Sequence, residues 1–441
     1  MVGLEMGTDD DRAAIRAHGL TEAHPIRSTG SKAQRLLVLV AAFLGWLFAG
    51  VQLGLMPLAS LSVSRNLMGD AFSHALAGDW FARYTASLML GAAIGGILLG
   101  QLGDRLGRAK GMASSILIYS LFGGAGFFAA NQEQLLVLRF LTGLGIGGMW
   151  PNGVSLVSEF WKDVSRPMLA GIFGTAANLG VLAMSQLGTL RSVTPDSWRW
   201  LMLAGATPAL LGLLSLWLVP ESPKWLLARA SGEIKKEEAP IRELFRPPLL
   251  RLTLIGICLG MIPLVGAWGA SKWLIPWADR VGGLTNPGYK ATTQACWAIG
   301  AALGSFLGGH IASRLGRRLT YFLISLGAAV ITSGIFMFLE PLEPMFLPAV
   351  FVQGFVSTLF FGWLPLCLPE LFPTRVRATG TGVSYNFGRF ASAAGVLGAG
   401  ALMQVFGGDY ARVGAICSLV YGLGMIVIWW APDTTGKSLS E

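Results

Sequence analysis

Long apolar stretches recur along the chain at nearly regular intervals, with short polar segments between them. Each stretch is close to the roughly 20 residues with which an α-helix crosses a bilayer. Backbone polar groups in lipid must be paired within the segment, and the stretches are too long for barrel strands, so the pattern predicts helices. The predicted spans are 36–60, 83–103, 110–130, 134–157, 167–188, 199–219, 251–275, 290–311, 319–339, 344–366, 379–404 and 411–430.

One short motif occurs twice, about half a chain apart. The sequence Gly-Gln-Leu-Gly-Asp-Arg-Leu-Gly-Arg begins at Gly100, and Gly-His-Ile-Ala-Ser-Arg-Leu-Gly-Arg begins at Gly309. A proline-acid motif also repeats, at Pro220 and at Pro432. The repeats predict an all-α integral membrane protein whose twelve transmembrane helices form two pseudo-symmetric bundles of six. A duplicated bundle of this kind is typical of alternating-access transporters.

The longest polar stretch between spans divides the chain into two halves. It contains two lysines followed by two glutamates at 235–238 and a proline pair at 247–248. We therefore expect five parts, which are an N-terminal tail (1–35), a first bundle (36–227), a linker (228–250), a second bundle (251–431) and a C-terminal tail (432–441).

The composition excludes an ordinary soluble domain. Only 13% of the residues are charged and 53% are hydrophobic, whereas soluble domains are about one quarter charged. The net charge of +9 would fit a nucleic-acid partner, but the basic residues are concentrated in one set of loops. That asymmetry predicts a multi-pass protein of the cell membrane with both termini and the linker in the cytoplasm. The expected partners are the lipid bilayer and a small-molecule substrate, and no nucleic acid.

The sequence contains no arrangement of residues that is typical of a metal site, a nucleotide site or a catalytic site. The four cysteines lie in or at the edge of apolar spans without metal-ligand spacing. The segment from Thr435 to Ser438 resembles the end of a phosphate loop, but Ala431 stands at the position of that loop's first glycine. We expect no metal, no cofactor and no catalytic residue, and therefore no enzyme. We also expect a monomer that is not driven by ATP.

These motifs resemble those of the major facilitator superfamily over nearly the whole chain. The most specific is the motif around Asp104, between the second and third spans, with a weaker copy between the eighth and ninth. Segments that begin at Arg139, Pro220 and Pro369 resemble the sugar-porter and organic-ion branches, and 43–52 resembles the first helix of aromatic-acid symporters. The resemblance implies two six-helix bundles that rock around a central site, which opens to one side of the membrane and then to the other.

Two departures from the resemblance bear on the substrate and its coupling. Sugar porters carry a pair of glutamines in the seventh helix, whereas residues 255–268 contain none. Aromatic-acid relatives usually have acids where Ala49 and Gln52 stand. The missing acids argue against proton coupling, and another coupling ion stays open.

Arg389 is the leading candidate for a substrate-binding residue. It lies ten residues into the eleventh span, which is about 15 Å at the helical rise of 1.5 Å per residue and close to the middle of a hydrocarbon core roughly 30 Å thick. No acid is expected near the same depth, and a guanidinium can bind a carboxylate through two parallel hydrogen bonds. The alternative is an arginine satisfied by backbone carbonyls or by a carboxylate at a helix end. Asn178 occupies the equivalent place in the fifth span.

Other polar and aromatic residues at helical spacing are candidates to line the same cavity. For each of them, the alternative is packing within a bundle or anchoring at the membrane surface. These candidates are Trp46, Gln52, Arg139, Trp150, Gln294, Trp297, Gln353, Trp363, Tyr385 and Asn386.

Charged residues at the cytoplasmic ends of the spans form two equivalent sets, for which we expect a gating role. Asp104 is expected just before the third helix, where the helix dipole favours a carboxylate. Ser313 stands in its place in the second set, so we expect that set to be the weaker. Such sets can hold the cytoplasmic side closed and separate when the bundles rock, whereas the alternative is that the bases only fix the topology. The sets are Asp104, Arg105, Arg108, Glu159 and Arg166, and Arg314, Arg317, Glu370 and Arg377.

The leading functional hypothesis is a carrier for a small organic anion, such as an aromatic, hydroxy or other carboxylic acid. It rests on a deep base without an acid nearby, because ionisable groups inside a membrane usually mark the substrate pathway. A sugar or polyol carrier is the alternative that the proline-acid motifs favour. A multidrug exporter, which usually needs a buried carboxylate, and a receptor that transports nothing are the remaining alternatives.

Overall fold

A computed structural model of the chain describes residues 31–161, 166–230, 241–373 and 376–435. Within those residues the chain forms twelve long helical segments and no strand, as the apolar pattern predicts. The segments are α1 (Lys32–Met68), α2 (His74–Leu106), α3 (Arg108–Ala125), α4 (Gln132–Phe160), α5 (Arg166–Leu190), α6 (Arg199–Leu218), α7 (Leu249–Gly282), α8 (Tyr289–Leu315), α9 (Arg317–Phe338), α10 (Phe346–Cys367), α11 (Arg377–Val405) and α12 (Tyr410–Trp430).

Nine of these segments are long and apolar enough to cross a membrane when the described residues are considered alone. The other three, α4, α5 and α11, are rich in glycine and polar residues and line the cavity described below. Residues 1–30 of the expected N-terminal tail, 231–240 of the expected linker and 436–441 of the expected C-terminal tail lie outside the described residues.

Most helices begin before the predicted spans, because capping residues, and not hydropathy, set their ends, whereas α3 ends at Ala125, before its predicted end at 130. At the start of α1 the Ser31 hydroxyl accepts a hydrogen bond from the Gln34 backbone N–H at 3.2 Å, and the Gln34 side chain accepts one from the Ser31 N–H at 2.9 Å. The Ser73 hydroxyl caps α2 in the same way, through the Leu76 N–H at 3.1 Å. The added turns contain polar residues that an apolar pattern does not include.

Glycines let paired helices approach until their backbones touch. A Cβ atom on Gly50 of α1 would lie 1.9 Å from the Ala177 carbonyl oxygen of α5, and one on Gly180 of α5 would lie 1.8 Å from the Leu47 carbonyl oxygen. The same close packing joins α2 to α4 and α8 to α10. Small residues at such crossings are the usual means of packing helices in membranes.

The two halves of the chain repeat one packing scheme. In the first bundle α1 packs on α5 and α2 on α4, and in the second bundle α7 packs on α11 and α8 on α10. The bundles meet where α2 contacts α11 and where α5 contacts α8. Since twelve segments cross the bundle, both described chain ends lie on one side, which we call the terminal face, and the other side is the opposite face.

Candidate functional site

A cavity of about 330 Å³ lies between the two bundles. Its walls come from α1, α2, α4 and α5 and from their equivalents in the second half, α7, α8, α10 and α11. Most of the lining side chains are apolar, and a few polar groups stand among them. This size and lining suit a small organic ligand.

Seven of the residues that the sequence suggests for a substrate site line this cavity. They belong to both bundles, so a ligand there would contact both at once. The seven are Trp46, Trp150, Asn178, Trp297, Tyr385, Asn386 and Arg389.

Arg389 contributes a buried cation to the cavity wall. Its side chain comes from α11, and the residue is only 7% exposed. One terminal nitrogen, Nη1, donates to the Ala92 carbonyl oxygen of α2 at 2.9 Å, and the guanidinium carbon lies 4.9 Å from the centre of the Tyr385 ring. No carboxylate oxygen of the described residues lies within 4.0 Å of it. A carbonyl dipole and a ring face hold the cation, but no charge in the part of the chain that the structure describes neutralises it.

Asn178 of α5 mirrors Arg389 in the first bundle. Its Nδ2 donates to the Ala301 carbonyl oxygen of α8 at 3.2 Å and to the Ser305 hydroxyl at 3.0 Å. Ala92 and Ala301 are equivalent, since each lies eight residues before the first glycine of its copy of the repeated motif. The two halves therefore place a polar side chain at matching points, a neutral amide on one side and a cation on the other.

Aromatic side chains form much of the wall on the side of the first bundle. The rings of Trp46 and Trp150 are 5.0 Å apart at an angle of 57°, and Trp150 meets Phe173 edge to face at 6.1 Å. Tilted and edge-to-face pairs are favourable aromatic contacts. The wall therefore presents fixed, flat apolar surfaces to the cavity.

Lys272 is a second buried cation in the cavity wall, and the sequence reasoning missed it. It lies in a short 3-10 turn, Ser271–Trp273, where α7 changes direction, and it is 3% exposed. Its Nζ lies 3.3 Å from the centre of the Trp297 ring and 5.9 Å from that of Trp268. Lys272 lies near the end of the predicted span 251–275, and Trp268 and Lys272, four residues apart, share a helical face. The apolar pattern gave no sign that α7 turns here and continues to Gly282.

Two proposed residues lie inside the first bundle and do not line the cavity. The Gln52 Nε2 donates to the Gly205 carbonyl oxygen at 2.8 Å and to that of Tyr119 at 3.2 Å. Arg139, which is 2% exposed, donates from Nη2 to the Gln52 carbonyl oxygen at 3.1 Å. Glycines on α3 and α6, such as Gly205, leave room for the Gln52 amide. The Gln52 side chain therefore points into the first bundle, and Arg139 binds the backbone of the same residue there.

Three further proposed residues also lie behind the cavity wall. Gln294 joins the bundles through its Nε2, which donates to the Gly54 carbonyl oxygen at 3.0 Å. The Gln353 Oε1 accepts a hydrogen bond from the Trp297 indole at 2.9 Å, so it orients a ring that does line the cavity. Trp363 lies towards the terminal face and donates to the Arg317 carbonyl oxygen at 3.0 Å. Helical spacing shows that these residues share polar faces of their helices. It does not show which neighbouring helix each face contacts, and that contact decides whether a side chain reaches the cavity.

The charged residues of the first half form a cluster at the terminal face. Asp104 pairs with Arg108 one turn later, and the Glu159 carboxylate accepts a hydrogen bond from the Ser222 hydroxyl. Glu221 accepts from the Ala109 N–H at 3.0 Å. The carboxylate at the start of α3 is therefore that of Glu221, and Asp104, expected there, lies in the last turn of α2.

The second cluster repeats this arrangement with a stronger ion pair. Arg317 binds Glu370 through two parallel hydrogen bonds, Nε to Oε2 at 3.0 Å and Nη2 to Oε1 at 2.9 Å. The Thr434 hydroxyl donates to Glu370 at 2.6 Å, as Ser222 does to its glutamate in the first half. Glu370 thus supplies a carboxylate to the set in which Ser313 replaces the acid, and the expectation that this set is the weaker gate stays a prediction.

The remaining members of the proposed sets contribute less to these clusters. Arg105 and Arg314 are exposed, and Arg377 donates to the Phe372 carbonyl oxygen at 3.3 Å. The Arg166 side chain lies outside the described residues. Among the described residues, the contacts of each cluster stay within one bundle.

The bundles are joined by charged groups at the opposite face. Lys290 of α8 pairs with Asp279 of α7 at 2.9 Å, and its Nζ also donates to the Val193 carbonyl oxygen at 3.0 Å and to the Ser62 hydroxyl at 3.3 Å, both in the first bundle. We call these four residues the opposite-face cluster. Phe81 of α2 adds an edge contact with Trp273 of α7 at 5.2 Å.

Two acids on that side of the protein lie within helices, Asp79 buried and Asp279 partly buried. Asp279 belongs to the opposite-face cluster, and Asp79, which is 6% exposed, pairs with Arg83 at 2.7 Å. The protein therefore holds carboxylates within its helices at the opposite face, each paired with a base. Neither residue lines the cavity.

Comparison with known proteins places the chain among transporters. Residues 36–396 and 285–440 match the Major Facilitator Superfamily. The chain is 31% identical to a probable 4-methylmuconolactone transporter of Cupriavidus pinatubonensis, over 79% of this chain and 81% of that protein. It is 30% identical to a gallate transporter of Pseudomonas putida, over 85% and 86% of the two chains. Its fold is similar to a partially occluded inward-open structure of the xylose transporter XylE from E. coli, with a TM-score of 0.68 and 18% identity over 92% of this chain and 100% of that one.

Proposed function

Because the chain belongs to the Major Facilitator Superfamily and is a membrane transporter, not an enzyme, we propose that its cargo is a small organic anion. The anion would be an aromatic, hydroxy or other carboxylic acid that binds in the central cavity. Alternating access without ATP would then move it across the membrane.

The unneutralised charge of Arg389 is the observation that carries this proposal. Removing an ion from water costs several kcal/mol even after the protein relaxes, and one carbonyl and one ring face recover part of that cost. A carboxylate would supply the missing counter-charge and could form two parallel hydrogen bonds with the guanidinium. The cavity is thus chemically matched to an anion.

The aromatic wall supports an acid with a flat apolar body. Trp46, Trp150 and Trp297 offer ring surfaces against which an unsaturated or aromatic group would stack. Relatives with names that refer to a muconolactone and to gallate are consistent with such a substrate.

A sugar or polyol is the second candidate, and the proline-acid motifs favour it. In the structure, however, Glu221 belongs to the terminal-face cluster and is far from the cavity wall. The motif therefore bears on the branch of the family and on gating, and not on the substrate. A multidrug exporter of cations would need a negative site, whereas the cavity is lined by Arg389 and Lys272.

Uptake into proteoliposomes tests the proposed substrate class. Wild-type protein should take up benzoate or gallate, and an excess of either acid should inhibit the uptake of the other. Xylose and the neutral amide benzamide are the controls, and neither should compete. Saturable xylose uptake that neither acid inhibits would transfer the assignment to the sugar class.

We further propose that the terminal face is cytoplasmic and that the protein is a monomer in the cell membrane. The loop charges support the orientation, since basic residues concentrate on the terminal side. In a cysteine-free background, a membrane-impermeant maleimide applied to intact cells should label Leu284→Cys at the opposite face and leave Arg229→Cys at the terminal face unlabelled. The reverse pattern would invert the orientation.

A further inference from the structure

We propose that Lys272 is a second anion-binding residue and that the preferred cargo is therefore a dianion, a flat dicarboxylate held between Lys272 and Arg389. The inference rests on the proposed transport of organic anions and makes it more specific. It starts from Lys272, an ionisable residue inside the predicted span 251–275 that was not among the candidates for the substrate site.

The Lys272 ammonium is buried without a polar partner. Its Nζ makes no hydrogen bond to any described residue, and no described carboxylate lies within 4.0 Å of it. The face of Trp297, 3.3 Å away, is its closest electrostatic contact. A cation–π contact recovers only part of the hydration that a buried ammonium loses.

The surroundings fix this ammonium and its ring. The Gln353 Oε1 holds the Trp297 indole at 2.9 Å, and the Gln353 Nε2 donates to the hydroxyl of Ser271, the residue before Lys272. The same polar side chain therefore ties the turn that carries Lys272 to the ring beneath it. Gln353 therefore fixes both the turn that carries the ammonium and the ring that the ammonium contacts. Such a fixed position is expected of a binding group and is not needed by a side chain that only fills space.

Lys272 and Arg389 line the same cavity at different depths. At a rise of 1.5 Å per residue, Trp297 lies about 12 Å from the opposite-face end of α8, and Arg389 lies about 24 Å from the corresponding end of α11. The two cations are thus separated along the transport axis. One carboxylate cannot satisfy both in that arrangement, whereas a molecule with a carboxylate at each end can.

The cavity walls between the two cations suit a flat body. Trp268 and Trp297 surround the ammonium on the side of the second bundle, and Tyr385 lies under the guanidinium. A dicarboxylate joined by a ring or by conjugated double bonds would place its anionic groups on the cations and its π-system against these rings. A hydrated polyol would leave both charges unpaired.

A matched pair of probes isolates the second charge. Terephthalate carries two ionised carboxylates at neutral pH, and 4-carbamoylbenzoate has the same shape with one carboxylate replaced by a neutral amide. We expect the wild type to have a KM for terephthalate about tenfold or more lower than for the monoamide, in line with the usual strength of a hydrogen bond to a charged group.

The lysine variant should remove this preference. In Lys272→Met the KM ratio of the two probes should approach one, because terephthalate loses the partner of its second carboxylate whereas the monoamide has no second charge to lose. Lys272→Arg should keep much of the preference because it keeps the charge. Lys32→Met, at an exposed lysine outside the cavity, is the matched control and should leave the ratio unchanged.

Each outcome bears on one of the two proposals. Equal KM values for both probes in the wild type, or an equal loss for both in Lys272→Met alongside a normal thermal unfolding curve, would overturn the role of Lys272. Lack of uptake of both probes and of benzoate, together with saturable xylose uptake, would instead overturn the proposed anion transport. A preference that survives in Lys272→Met would assign dianion selectivity to other residues.

Discussion

Replacing Arg389 with alanine is expected to reduce the uptake of a carboxylate substrate by about 100-fold or more. The variant removes both of the hydrogen bonds that we assign to the guanidinium and the carboxylate. A hydrogen bond to a charged group is worth about 1.5–3 kcal/mol, so two are worth about 3 kcal/mol or more, and each 1.4 kcal/mol equals a factor of ten. Arg389→Lys should recover only part of the uptake, because an ammonium cannot reproduce the two parallel hydrogen bonds of a guanidinium. Initial rates in proteoliposomes at several substrate concentrations measure both effects.

A second variant separates the charge from the contact between bundles. Arg389 also joins α11 to α2 through the Ala92 carbonyl, and Asn178 joins α5 to α8 through the equivalent Ala301 carbonyl. Asn178→Ala therefore removes a comparable contact without removing a charge, and its uptake should fall much less. Similar losses in the two variants would mean that Arg389 serves the packing of the bundles and does not bind the substrate.

Replacing Lys290 with methionine is expected to open the cavity towards the opposite face. The variant leaves Asp279 as a largely buried carboxylate, 11% exposed, without its partner and breaks the hydrogen bonds to Ser62 and Val193. Loss of one member of a buried ion pair costs about 3–5 kcal/mol, so the population open to the opposite face should rise by about 100-fold or more. The readout is the rate at which an impermeant maleimide labels Leu53→Cys in the cavity from that face.

A double variant controls this experiment. The double variant Asp279→Leu/Lys290→Met removes both charges and should label more slowly than Lys290→Met alone, because no unpaired charge remains.

Asp104→Asn should act from the other side, since we propose that the Asp104 cluster helps to close the terminal face. It should speed labelling of Leu53→Cys from the terminal face. Unchanged labelling there would leave Asp104 with a role in topology alone.

The internal repeat explains why the sequence predicts some site residues well. Asn178 and Arg389 occupy equivalent places in the sequence, and in the structure they contact the equivalent carbonyls of Ala301 and Ala92. The same offset relates Glu159 to Glu370, and each carboxylate accepts a hydrogen bond from a hydroxyl of the motif that follows its bundle. Because both copies of a repeat fold in the same way, residues at equivalent positions in the sequence occupy equivalent positions in the structure.

Hydropathy and helical spacing fail where neighbours decide the outcome. The predicted span 251–275 ends near Lys272, but α7 turns at Ser271 and continues to Gly282, so the lysine lies inside the protein. Gln52 has the spacing of a cavity residue, yet the space beside Gly205 draws its amide into the first bundle. Neither a turn within a helix nor a gap beside a glycine leaves a periodic signal in one sequence.

The uncompensated charges of the cavity have an electrical consequence. Arg389 and Lys272 lie within the membrane without a described carboxylate beside either, so the protein without cargo and the protein loaded with the proposed dianion would differ in net charge inside the bilayer. A charge that crosses the full membrane field changes in energy by about 2.3 kcal/mol per 100 mV. If the cargo is the dianion that we propose, the membrane voltage acts on the return of the empty site, and the loaded site moves as a neutral complex that the voltage does not oppose.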